Sequence, residues 1–235
     1  IKRREDEFDP DQGNEIKWTS YNADGSVSAW AEYAYDPFTG NMIKEAYYNA
    51  DGIKTRESEY DPAIEMVVKT TWYNSDGTIS SWEKNEYDSF TGNMSKCTRY
   101  NANGTVTGTS VYEYGEDGSN VVTCYDAAGI VRETIKHGSS PNEYQYELRT
   151  TYDAGVIKSS QEWRYYAVSI GIVVICRDSS GLVTEISELS YDMYLKKLTQ
   201  YYASGAKRME AVFDGTAERK VVSSTSWDEN GNIIE

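Results

Sequence analysis

The chain has 235 residues, with 23 Lys and Arg against 38 Asp and Glu, for a formal net charge of −15. So acidic a chain lacks the basic patches that nucleic acid and anionic membranes require, which excludes both as partners. Leu, Ile, Val and Phe make up about a sixth of the residues, a fraction that by composition alone reads as disordered. The 21 Tyr and 6 Trp predict instead a folded chain with a thin core, in which aromatic rings replace aliphatic packing.

In chain order, residues 1–15 (IKRREDEFDPDQGNE) are charged and do not alternate, and are expected to be a loose leader. The first residue is Ile rather than Met, so removal of an N-terminal segment is expected. From residue 16 to 235 the chain reads as a single array of β-hairpins. An aromatic residue followed by Asn or Asp and a turn recurs at Tyr21, Tyr35, Tyr48, Tyr60, Tyr73, Tyr87 and Tyr100, in steps of 14, 13, 12, 13, 14 and 13 residues. One step is a strand plus a turn. A longer period of 52 links Tyr21 to Tyr73 to Tyr125 and Tyr48 to Tyr100 to Tyr152. This predicts four-stranded units starting near residues 21, 73, 125 and 177.

Two turn types alternate. Asn74-Ser75-Asp76-Gly77 predicts a type I turn closed by a glycine in the left-handed region. Asp36-Pro37-Phe38-Thr39-Gly40-Asn41, repeated as Asp88-Ser89-Phe90-Thr91-Gly92-Asn93, is longer. There Thr can bond the Asp side chain. Tight turns about eight residues apart leave no room for crossover helices. About eighteen strands are expected.

The strands alternate, but neither face is cleanly apolar, as in a sheet wetted on both sides. The fold class predicted is therefore all-β, an antiparallel meander of tandem hairpins forming a curled, open or superhelical, largely single-layer sheet. A β-propeller is the alternative, because four strands per unit is also a blade. His137–Asn142 reads as a looser loop. Ala167–Cys176 is apolar on both faces, and the sheet is expected to be most enclosed there. At ten residues it is about half the length of a membrane span, so no span is expected.

The grammar Tyr-Asn/Asp-x-x-Gly is carried by Tyr21-Asn22-Ala23-Asp24-Gly25, Tyr48-Asn49-Ala50-Asp51-Gly52, Tyr73-Asn74-Ser75-Asp76-Gly77 and Tyr125-Asp126-Ala127-Ala128-Gly129. It resembles the YD (RHS-type) repeats of bacterial surface and toxin-delivery proteins, and the hairpins of Gram-positive cell-wall-binding repeats. The cadence here is shorter than theirs. The resemblance implies an exported, extracellular or surface-attached bacterial protein that contacts glycan, a cell-wall polymer or another surface protein.

Register counted outward from the turns places Trp18, Trp30, Tyr47, Thr55 and Trp72 in one row on one face, with Trp82 on the same face. Such a strip suits stacking on sugar rings, making Trp18, Trp30, Tyr47, Trp72 and Trp82 the candidate glycan-binding residues. The competing reading is cross-strand aromatic pairing that only holds the sheet. Other chemistry has little support. Asp9, Asp11, Gly13 and Glu15, and Asp228, Asn230 and Gly231, resemble fragments of a calcium loop without its full spacing. No metal or cofactor is expected. His137, the single histidine, has no triad pattern and reads as a loop residue. Cys97, Cys124 and Cys176 form no disulfide or zinc pattern. Three functions follow in order: a non-catalytic surface scaffold or interaction protein, a glycan-binding module, and last a hydrolase.

Overall fold

The computed structural model describes residues 3–140, 144–166, 171–190 and 192–234, and within them every regular element is a strand. The chain divides into two compact units, Ile1–Ser110 and Val111–Glu235. The first carries β1 (Arg4–Phe8), β2 (Glu15–Tyr21), β3 (Val27–Tyr35), β4 (Met42–Asn49), β5 (Lys54–Asp61), β6 (Met66–Tyr73), β7 (Ile79–Tyr87) and β8 (Met94–Asn101). The unit boundary falls inside β9 (Val106–Tyr114). The second unit continues with β10 (Asn120–Asp126), β11 (Val131–Ser140), β12 (Tyr144–Asp153), β13 (Val156–Tyr166) and β14 (Ile172–Arg177). It ends with β15 (Val183–Leu189), β16 (Leu195–Tyr201), β17 (Lys207–Phe213), β18 (Val221–Trp227) and β19 (Ile233–Ile234).

The protein is an all-β antiparallel meander. In the first unit each strand from β1 to β8 pairs with the next. In the second, the same holds from β10 to β19. Among the described residues, strands within each unit touch only their sequential neighbours, in a single layer. The ladder does not break every four strands, as a propeller would require; the propeller alternative is therefore set aside. The described residues form nineteen strands where about eighteen were expected, because residues 4–8, expected to belong to a loose leader, form β1 against β2. A charged edge strand needs no apolar face when its backbone bonds one neighbour, and edge charge discourages pairing with other chains.

The turns form as their residues dictate. In the β2–β3 hairpin Asn22 N–H donates to Ser26 O at 2.8 Å and Gly25 N–H to Asn22 O at 3.0 Å. Gly25 has φ +87°, where a side chain would be strained. In the longer turn the Asp36 carboxylate accepts from Phe38 N–H, Thr39 N–H and the Thr39 hydroxyl, at 3.0, 2.8 and 3.0 Å. These donors hold the Asp36 carboxyl below its ordinary range, Thr39 N–H contributing most.

One further residue is inserted beside each of these turns. Tyr21 pairs with Val27, but Ser20 pairs with Ala29, leaving Ser28 as a β-bulge. Thr55, Ser80 and Ser95 occupy the same place in later hairpins. At several bulges a hydroxyl bonds the facing carbonyl: Thr55 to Tyr47 O at 3.2 Å and Ser95 to Glu86 O at 3.1 Å. The hydroxyl supplies a bond to a carbonyl where the extra residue has disturbed the ladder.

The core is thin, as expected. Across the first unit, Ala31, Ala46, Ser58, Thr70, Thr71 and Thr98 are buried, while the rings beside them are only partly so. Ala31 lies in register between Trp18 and Tyr47, whose rings meet edge to face 6.5 Å apart. Large rings thus roof small residues, and no second layer is needed. Among the described residues the buried branched aliphatics are Ile172, Val174 and Ile175, all on β14. This is the stretch predicted to be most enclosed, although its residues 167–170 lie outside the described residues, as do 141 and 142 of the predicted loop.

Candidate functional site

The five candidate residues do not form one row. The bulges shift each register by one, and one residue turns a side chain to the other face. Trp18 pairs with Ala31, not Trp30, and the row then runs through Tyr47, Arg56, Trp72 and Ser81. Trp30 pairs with Thr19 and Tyr48, and Trp82 with Thr71 and Tyr100. Trp18, Tyr47 and Trp72 therefore share one face of the first unit, and Trp30 and Trp82 the other. Thr55, expected in the row, is a bulge residue.

On the Trp30 face the indoles are stacked on neighbours. Trp30 lies 5.1 Å from Tyr48 at an interplanar angle of 10°, and Trp82 lies 3.7 Å from Tyr100 at 5°. Lys17, from the strand on the other side, stands 5.9 Å from the Trp30 ring, and Lys69 stands 5.9 Å from Trp82. Each indole is thus held between a tyrosine on one flank and an ammonium on the other. The three residues of the second sandwich lie 52 positions after those of the first. Beside the first, Glu57 is buried and paired with Lys44 at 3.1 Å and with Lys54. Burial alone would raise its carboxyl, but the two lysines outweigh it and hold the group below its ordinary range.

The opposite face is organised by Glu45, which is 9% exposed. Its carboxylate accepts from Arg56 at 2.8 Å, from the Ser58 hydroxyl at 3.1 Å and from the Tyr47 hydroxyl at 3.2 Å. The Arg56 guanidinium lies 4.5 Å from the Tyr47 ring centre. Trp18 donates its indole N–H to the Tyr33 hydroxyl at 2.9 Å. Burial, and then the nearby Glu45 charge, push the Tyr47 phenol up to about 12. Trp72, beside Arg56, is exposed. Further along this face Cys97 is buried, and its thiol is pushed up to about 11 by burial and by Glu83.

Sequence reasoning missed Lys17, Lys69, Tyr48 and Tyr100, although their 52-residue spacing is the same as that of the two tryptophans. It also missed Glu45 as a hub. His137 is not in a loop but on β11. Its Nδ1 is 2.9 Å from Asn120 Oδ1 and its Nε2 is 3.3 Å from Glu147 Oε2, both cross-strand partners. Asp9 and Asp228, the starts of the two calcium-like fragments, accept backbone N–H groups of their own turns. Among the described residues no group of three His, Cys, Asp or Glu side chains is placed to hold a metal.

The model of a family described as a protein of unknown function (DUF2963) matches residues 5–47. No curated protein matches the chain. Among solved structures it is similar to a porin-like protein from Bacteroides uniformis ATCC 8492, at 8% identity and a TM-score of 0.35, over 82% of this chain and 84% of that one. A likeness of that size carries no argument about function. Among the described residues no helix is long and apolar enough to cross a membrane, which says nothing of strands.

Proposed function

We propose that this chain is a non-catalytic repeat protein, exported and displayed at a bacterial surface, with a scaffold or interaction role. The observation that carries this reading is the recurrence of whole side-chain assemblies at 52 residues. Lys17, Trp30 and Tyr48 recur as Lys69, Trp82 and Tyr100. Tyr35, donating to Glu15 O at 2.8 Å, recurs as Tyr87, donating to Val67 O at 2.8 Å. In both assemblies the aromatic groups bind neighbouring strands, so their chemistry supports the sheet. Support for export is the resemblance of the Tyr-Asn/Asp-x-x-Gly grammar to that of YD-type surface repeats.

Glycan binding is the second reading, and one observation favours it. Trp72 is exposed, lies beside Arg56 and is in register with Tyr47. An open indole next to hydrogen-bond donors suits a sugar ring. The Trp30 and Trp82 ring faces are already occupied and suit it less. A glycan array with the wild type, Trp72→Ala and Trp30→Ala separates the two. No binding by any form supports the scaffold; wild-type binding that Trp72→Ala abolishes supports the module. Antibody labelling of intact cells tests display, and labelling only after lysis would refute it.

A further inference from the structure

The two edges of the first unit differ in chemistry. The turns after β2, β4, β6 and β8 carry Ala23-Asp24, Ala50-Asp51, Ser75-Asp76 and Ala102-Asn103 at their tips. The turns after β3 and β7, at the other edge, carry Phe38 and Phe90, which are 95% and 98% exposed. Between them the turn after β5 carries Ile64, 44% exposed, and β1 ends at that edge in Phe8, 58% exposed. Alternate turns of a meander recur every two strands, roughly 10 Å apart. The opposite edge has Ile79, 40% exposed, but the two nearly fully exposed rings stand at this edge only, and that pair of phenylalanines repeats at 52 residues.

The backbone donors of these tips are internally satisfied. Beyond the donors already described, Gly40 N–H donates to Asp36 O at 2.9 Å and Asn41 N–H to the Thr39 hydroxyl at 3.3 Å. Pro37 has no N–H. Every backbone donor from Pro37 to Asn41 is therefore bonded within the turn. At the second tip Asp88 accepts from Phe90 N–H, Thr91 N–H and the Thr91 hydroxyl at 3.1, 2.8 and 2.9 Å, and Gly92 N–H bonds Asp88 O at 2.9 Å. Such a turn can enter a medium poorer in water without stranding its donors.

We propose that this phenylalanine-tipped edge seats on the headgroup–acyl boundary of a zwitterionic lipid bilayer. A second copy of the chain fits less well. Two nearly fully exposed rings offer about 300–500 Å², against roughly 800 Å² per partner in a stable interface. The tips are also convex and separated, so they suit a deformable apolar layer better than a shaped pocket. Charge selects among bilayers. With −15 on the chain and Asp36 and Asp88 at the bases of the tips, an anionic surface repels this edge and a zwitterionic one does not.

The full chain is cosedimented with phosphatidylcholine vesicles, alongside Phe38→Ser, Phe90→Ser and the double variant. Each single change lowers the partition coefficient about tenfold and the double about a hundredfold, as expected for independent sites. Ala50→Ser, on the opposite edge, leaves it unchanged. Thermal midpoints stay at the wild-type value, because the exposed rings support little packing. Four outcomes overturn the proposal: no vesicle binding, equal binding by wild type and double variant, binding that strengthens as phosphatidylglycerol is added, or self-association that the double variant abolishes. The glycan array does not involve these residues, so either result stands without the other.

Discussion

At the scale of single residues, the first unit replaces apolar burial with partnered polar groups. Glu45 is nearly buried, yet Arg56, Ser58 and Tyr47 all donate to it. Removing one partner from such a hub leaves charge poorly compensated, which costs more than the bond itself contributed. Five tyrosines of this sheet respond to pH in one direction. Burial raises the phenols of Tyr35, Tyr48, Tyr60 and Tyr87, and raises Tyr47 to about 12. A raised folded value means the unfolded chain ionises first. The stability it represents is complete below about pH 10, the ordinary phenol value, and is lost as pH climbs toward 12. Denaturant midpoints measured from pH 9 to 12 should therefore fall along an alkaline limb, and Tyr47→Phe should make that limb shallower. A limb unchanged in Tyr47→Phe would show that this phenol is not linked to folding.

The hairpin is the next scale, and its governing feature is the bulge. The turn residues set where the chain reverses, but the bulge sets which face each later side chain takes. This gives an unusual tolerance. Deleting Ser80 removes the extra residue and leaves Trp72 opposite Ser81 and Trp82 opposite Thr71, as now. Deleting Glu83, only three positions on, forces either Trp82 or everything after it to change faces. The Ser80 deletion should keep the near-ultraviolet circular dichroism of the Trp82–Tyr100 stack and most of the thermal stability. The Glu83 deletion should lose the stack and lower the melting temperature by several degrees or more. Equal damage from both would mean that the bulge is not the register-setting element.

For the molecule as a whole, each unit is held by contacts between successive strands, and among the described residues no distant pair of strands within a unit meets. Stability in such a chain is close to a sum of local and nearest-neighbour contributions. Residues 49–100 span one 52-residue period, and Asn101 can take the place of Asn49 at the same kind of turn. A chain lacking 49–100 should fold with the same strand signature. Its denaturant m-value should fall roughly with the surface lost. Collapse of the β signal would show that longer-range contacts hold the fold.

Much of this architecture was legible in the residues. Asn or Asp followed by Gly makes a reversal wherever it occurs, because the side chain bonds its own backbone and glycine alone accepts the left-handed angle without strain. That local chemistry determined the turns, the strand cadence and the antiparallel meander. A thin core in which aromatic rings stand in for aliphatic packing was legible from composition as well. Which of them meet was decided by the folded ladder. Counting back from Asn22 puts Trp18 against Trp30, yet the bulge at Ser28 puts it against Ala31 and sends Trp30 to the opposite face. The reason is physical. A strand alternates with a period of two, so a single extra residue reverses its two faces. That residue is specified by the fit of one strand against its partner, which no stretch of sequence contains alone.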